Sequence, residues 1–290
     1  MKLISPKLQF ALALLALASA PVLGAAPNDT EQQAWDDFVA WVKVQPGVPN
    51  RSEWQRYQEK LVADGFTAEA AGARMGLLGK LRATHGSDLG RVYFNRLYAA
   101  RDHSRFIATP NTFLVDVAKT LQPGKALDVA MGQGRNAVYL AALGWDVTGV
   151  DLADEGLRIA QENAAAAGTK LTTVNKSFEE FDYGEAQWDL ICFIYTDAPV
   201  IDPVYVARII KALKPGGLLL IERPHRRLDV EDPELGALLP KDFPNALPRA
   251  WDGLRILRYE DLLGVSDWQQ TSANREQLKL RIIRLLAEKR

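Results

Sequence analysis

The sequence predicts an α/β fold: a doubly wound, mostly parallel sheet with a closing antiparallel strand pair, plus a small helical N-terminal region. Three observations predict it. From Ala126 onward, short apolar runs alternate with amphipathic helical ones, the order of a parallel sheet covered on both faces. Between about residues 30 and 90 the apolar residues recur at helical spacing. In the last forty or so residues two strand-like segments flank a polar link.

Residues 1–26 stand outside this fold. Lys2 and Lys7 precede the apolar run Phe10–Ala18, and Val22-Leu23-Gly24 before Ala25 fits a small-residue cleavage site. This is the layout of a secretory signal peptide, so the chain is expected to be exported, periplasmic or secreted. An uncleaved membrane anchor is the alternative, but the run is shorter than the roughly 20 apolar residues a span needs.

Residues 27–92 form a helical extension. Trp35, Phe38, Val39 and Val42 make one stripe, and Pro46, Gly47 and Pro49 break the chain. Trp54, Tyr57 and Leu61 make a second stripe. Asp64-Gly65 turns, and Thr67 with Glu69 starts a third helix through Met75, Leu78 and Leu81. The stretch from Arg91 to Leu121 reads as a bridge: a short helix at Phe94–Ala99, a turn at Thr109-Pro110, then a helix from Asn111 to Leu121.

Residues 93–290 carry the main domain. Its predicted order is strand "ALDVAM", helix "RNAVYLAAL" ended by Gly144, strand "WDVTGVD", helix "ADEGLRIAQENAAAAG", strand "LTTVN" and strand "WDLICFIY". Helix "PVYVARIIKAL", turn "KPGG" and strand "LLLIE" follow. The tail segments "GLRILRYED" and "LKLRIIRLLAEK" are expected to pair antiparallel, although the second also fits a helix.

Composition narrows the partners. Lys+Arg number 35 and Asp+Glu 36, so no global basic field argues for nucleic acid. The single cysteine, Cys192, excludes an intramolecular disulfide and lies in an apolar run, where a buried inert thiol is expected. No HxxH, CxxC or tight carboxylate cluster suggests a metal. His103 and His85 sit in polar text and receive no role.

The chemistry concentrates at "GQGRNA", where a strand turns into a helix. Gly132 and Gly134 supply positive φ and a backbone with no Cβ in the way of a ligand. Asp151 ends the next strand, about 20 residues on, where a carboxylate accepts both hydroxyls of a ribose. Helix capping is its plainer role, and the two are compatible. Asp128, four residues before Gly132, separates two ligands. It would repel the pyrophosphate of NAD and attract the ammonium and sulfonium of S-adenosylmethionine (SAM). A structural Asp128 bonded to backbone N–H groups is the alternative.

"LDVAMGQG" resembles the first motif of class I SAM-dependent methyltransferases, an acid followed by glycines. "GVD" at Gly149–Asp151 resembles their second-strand acid motif, and "LKPGGLLLIE" their fifth-strand region. The final strand pair is similar to their sixth and seventh strands. Two residues depart: Ala130 stands for the usual first glycine and Met131 for the cysteine often after it. Ser177 stands where an acid often faces the adenine amine. The resemblance implies that Asp128 holds the methionine ammonium. Ala130, Gly132 and Gly134 would form the loop beneath the methionine portion. Asp151 would bind ribose, Leu152, Ser177 and Phe178 would border adenine, and Phe94–Tyr98 would lie over the cofactor as a lid.

Acceptor residues are expected beyond the carboxyl ends of the strands. Candidates are Tyr195 and Asp197 after the fourth strand and His225 after the fifth; His225 has the intrinsic pKa of a base. Asp197 fits a helix cap equally well. His225 fits a solvated loop histidine, and Arg223, Arg226 and Arg227 fit a solvated basic face. The resulting expectation is a methyltransferase acting on a small molecule; "YTDAP" does not match the N-P-P-Y motif of nucleic-acid methylation. Two rivals remain at this level: an NAD-linked oxidoreductase, and an exported binding protein that kept the fold without catalysis.

Overall fold

The computed structural model describes residues 30–46, 52–100, 107–227, 241–270 and 277–290. The expected signal peptide and His103 lie outside these residues. The chain divides into two compact units. One contains residues 51–84 with the chain up to Trp41; the other contains residues 42–50 and 85–290.

The first unit is helical. Helices α1 (Glu31–Lys43), α2 (Ser52–Ala63) and the first half of α3 (Ala68–Ala99) bury Trp35, Phe38, Tyr57, Leu61 and Leu78. The Phe38 ring lies 4.7 Å from Trp54 and 4.8 Å from Tyr57, so the predicted stripes are packing surfaces. Arg74 crosses to Asp37 at 3.0 Å.

The second unit holds a seven-stranded sheet in the order β3-β2-β1-β4-β5-β7-β6. The parallel strands are β1 (Lys125–Val129), β2 (Asp146–Asp151), β3 (Thr172–Asn175), β4 (Trp188–Ile194) and β5 (Leu213–Arg227). Strand β7 (Gln277–Glu288) runs antiparallel to both β5 and β6 (Arg255–Gln270). Helices α4 (Thr112–Ala118), α5 (Arg135–Ala142), α6 (Asp154–Ala166), α7 (Pro203–Ala212) and α8 (Phe243–Ala250) connect them.

The centre of the sheet is buried on both faces because its strands there are mostly apolar, whereas the edge strands β3 and β6 are largely exposed or half-buried. Leu127, Val129, Ile191, Phe193, Leu219 and Ile221 face one layer with Tyr205, Ile209, Phe243 and Leu247. Ala126, Leu190, Cys192, Leu218 and Leu220 face the other, against Phe113, Ala137, Leu140 and Leu157.

Three expectations need correction. The bridge does not begin at Arg91: α3 is one helix of 32 residues. No proline interrupts it after Thr67, and glycines 86 and 90 are tolerated inside a helix at about 1 kcal/mol each. "KPGG" is not a turn outside the sheet but a kink within β5, with Gly216 at φ +77° and a register shift opposite Trp188/Leu190. Strand β6 continues through "GVSDWQQ", which reads as a polar link, because β7 supplies the ladder partners. The second tail segment is a strand. Helix α8 escapes sequence reading because it contains Pro244 and Pro248.

Candidate active site

The glycine loop joins β1 to α5 at the carboxyl edge of the sheet. Ala130, Gly132 and Gly134 all have positive φ, at +58°, +56° and +78°. The loop closes on itself through Gly134 N–H donating to Met131 O at 3.0 Å. A Cβ on Gly134 would stand 2.8 Å from the Ala160 Cβ, so this glycine lets α5 and α6 approach. A Cβ on Gly149 would collide with the Met131 sulfur; the glycine of "GVD" makes room for the methionine that replaces the usual cysteine.

Asp128 lies in β1, next to its last residue Val129, and is 2% exposed. Its Oδ2 is buried and has no hydrogen-bond partner. Burial raises its pKa to about 7, against the lowering charge of Arg135 and with further raising by Asp151. A buried carboxylate oxygen without a donor is costly, and a cation beside it removes the cost. These residues fit the ammonium of SAM, and they oppose a pyrophosphate.

Asp151 accepts from Gly132 N–H through Oδ2 and from Ala153 N–H through Oδ1, both at 2.8 Å. Burial pushes its pKa up, while the backbone donors of Ala153, Gly132 and Leu152 pull it down. Each oxygen keeps a lone pair for a ribose hydroxyl. The Tyr98 phenol packs where a Gly132 Cβ would stand, and its ring lies against Gly156. Burial and the Asp151 charge raise the Tyr98 pKa well above the ordinary phenol range. Tyr98, from the stretch expected to lie over the cofactor, thus touches both the glycine loop and the first turn of α6.

Leu152 is half-buried, with its side chain facing Gly90 of α3. The Ser177 hydroxyl accepts from Glu180 N–H at 3.3 Å, while Glu180 Oε2 accepts from Ser177 N–H at 3.1 Å. That reciprocal pair commits Ser177 to shaping the loop after β3. Phe178 packs on the core, its ring edge-on to Tyr205 at 6.3 Å.

On the acceptor side, Tyr195 follows β4 with φ +55°, a strained position for a bulky residue. Asp197 has a side chain 94% exposed and meets Arg223 at 3.4 Å. The arginine is not a solvated basic face as expected. It is buried, donates to Ala198 O at 2.9 Å and lies 5.6 Å from the Phe243 ring centre. His225 is not a solvated loop residue either. It lies in β5 at a bulge between Pro224 and Arg226 and is 5% exposed; nearby, the Arg281 guanidinium bonded to Asp261 holds that carboxyl low. The side chains of Arg226 and Arg227 lie outside the described ones.

Sequence reading misses a buried polar network behind the loop. The Asn111 amide donates to Glu222 at 2.7 Å and to Asp267 at 2.9 Å. Arg135 pairs with Asp267 at 3.1 Å, and Arg284 with Glu222 at 2.6 Å. Burial and the Asp267 charge raise the Glu222 pKa, against the Arg284 cation. These residues are scattered over 174 positions, so only Arg135, next to the glycine loop, carried a local signal.

Residues 126–217 match the family described as "Methyltransferase domain". The chain is 27% identical over 184 residues to the Haemophilus influenzae protein named "Probable S-adenosyl-L-methionine-dependent methyltransferase TehB", covering 61% of each. It is 34% identical over 147 residues to the ubiquinone biosynthesis O-methyltransferase of Bordetella avium, covering 50% of this chain and 56% of that one. The chain thus spans about three fifths of the length of these curated relatives. Its fold matches the crystal structure of TehB from Haemophilus influenzae, with TM-score 0.51 and 24% identity, covering 69% of this chain and 67% of that one. It also matches a structure from work on the conversion of a disulfide bond into a thioacetal group during echinomycin biosynthesis, with TM-score 0.55 and 20% identity, covering 69% and 92%.

Proposed function

We propose that this chain is a class I SAM-dependent methyltransferase that moves a methyl group from SAM to a small-molecule acceptor, a reading supported by the methyltransferase-domain match and the similarity to TehB. The observation that carries the reading is the partnerless Oδ2 of buried Asp128 between a glycine loop and a second-strand acid.

SAM supplies the electrophilic methyl when bound. The residues supply alignment and exclusion of water. Asp128 neutralises the ammonium, Asp151 fixes the ribose, and Gly132, having no Cβ, lets the Tyr98 phenol pack onto the glycine loop. Leu152, Ser177 and Phe178 border the adenine, with Ser177 acting through the loop it shapes. The acceptor approaches the carboxyl ends of β4 and β5, past Tyr195. Asp197 stands at the exposed rim, where its pairing with Arg223 suits a shaping role better than proton transfer. For an acceptor whose proton must leave, the base is His225, set in β5 beside Asp261.

The named relatives support a small-molecule acceptor, since one of them methylates during ubiquinone biosynthesis. The balanced charge supports the same reading. The signal-like residues 1–26 support an exported enzyme; the mature N-terminus after cell fractionation tests that placement.

The test of function is calorimetry with SAM, followed by labelled-methyl transfer to thiol, amine and hydroxyl acceptors. Wild type should bind SAM, and Asp151→Ala should weaken binding by about tenfold or more, the cost of about one lost charge-assisted pair. Equal binding by both would remove the ribose assignment, and no binding by wild type would remove the cofactor. For a hydroxyl acceptor, His225→Ala should lower turnover and change the shape of the pH–rate profile; an unchanged profile would remove the base assignment.

A further inference from the structure

Helix α6 begins without a cap of its own. Its N-cap residue is Ala153, which has no side-chain oxygen, although its backbone is extended as a cap requires. Yet the start of α6 is where the site needs most rigidity. Ala153 N–H holds Asp151 Oδ1, and Asp151 is the ribose acid.

The missing cap comes from another helix. Asn95 of α3 reaches across, and its Oδ1 accepts from Glu155 N–H at 2.9 Å. Its Nδ2 donates to Asp154 Oδ2 at 3.4 Å. Four residues earlier, one Arg91 nitrogen donates to Leu152 O at 2.7 Å and to Asn175 Oδ1 at 2.8 Å. Asn175 returns its amide to Asp151 O at 3.3 Å and Leu152 O at 3.1 Å. Three residues after Asn95, Tyr98 packs on Gly132 and Gly156. Arg91, Asn95 and Tyr98 fall at i, i+4 and i+7, one stripe of one helix. The hydrogen bonds of Arg91 and Asn95, and the packing of Tyr98 on Gly132 and Gly156, converge on the turn Asp151–Glu155, on Asn175 beside it and on the glycines flanking it.

We propose that Asn95, seconded by Arg91, is a positioning residue for the cofactor: it caps α6 in trans and so fixes the ribose-binding turn Asp151–Ala153. This inference rests on the function proposed above. An N–H already paired leaves Asp151 and Ala153 in place before the ribose arrives, so less ordering is needed on binding.

The test uses the full chain in four forms: wild type, Asn95→Ala, Ala153→Ser and the double variant. Serine at 153 restores a cap within α6 itself, because the position already has cap geometry. Asn95→Ala should speed hydrogen exchange at the Glu155 amide in cofactor-free protein. It should also weaken SAM binding about tenfold, the scale of one lost cap, with the KM for the acceptor unchanged. The double variant should recover both exchange and affinity. Faster exchange with unchanged affinity would make Asn95 merely structural and overturn the proposal. Unchanged exchange, or a double variant that recovers neither, would also overturn it. Wild type that fails to bind SAM would instead overturn the function proposed above.

Discussion

At Ala130 the chain keeps a methyl group in a left-handed conformation, φ +58°, where the methyltransferase motif it resembles has glycine. The strain is about 1–2 kcal/mol, and glycine would return part of that gain through its freer unfolded state. Ala130→Gly should therefore stabilise the folded protein by about 0.5–1 kcal/mol, read as a higher urea midpoint at unchanged slope. The neighbouring departure is absorbed differently: Met131 fits because position 149 has no side chain. The glycines and both acids of this loop were legible because their spacing is local. Ser177 was legible as a position and not as a contact, since only the folded loop shows its hydroxyl turned to Glu180.

At the scale of elements, the closing hairpin is tied to the cofactor loop by charge. Asp267 on β6 holds Arg135 at the start of α5 and accepts from Asn111 and Thr112 at the start of α4. Both side chains are largely buried. Asp267→Ala leaves the Arg135 cation uncompensated, and such broken buried pairs cost about 3–5 kcal/mol. Urea unfolding of cofactor-free protein should show that loss; a change below about 1 kcal/mol would place the pair among weak surface bridges. The alternating strands and helices were legible because each repeats its apolar period within a few residues. The length of β6 was not, because its polar half is a strand only by virtue of β7 beside it. The two prolines of α8 hid a helix whose Phe243 and Leu247 are held by the sheet.

At the scale of the whole molecule, the buried acids make stability depend on pH. Asp128 has a native pKa of about 7, above its ordinary value of 3.8, so the folded state favours the proton. Its contribution is neutral below about pH 4 and turns destabilising as pH rises towards and past 7, by at most roughly 4 kcal/mol. The raised pKa of Asp151 acts with the same sign. Asp128→Asn should flatten the fall in stability between pH 4 and 8, measured by thermal unfolding. A bound ammonium favours the ionised carboxylate, so SAM affinity of the wild type should rise through pH 7 and that of Asp128→Asn should stay level. What the sequence by itself determined is the order of strands and helices, the glycine loop and the two acids around it, all of them consequences of local period and spacing. Only the tertiary structure decided that Arg223 and His225 are buried, that Asp267 anchors Arg135, and that Asn95 caps a helix some sixty residues away. Those contacts join residues remote in sequence, and their energy exists only once the sheet has closed and excluded water from between them.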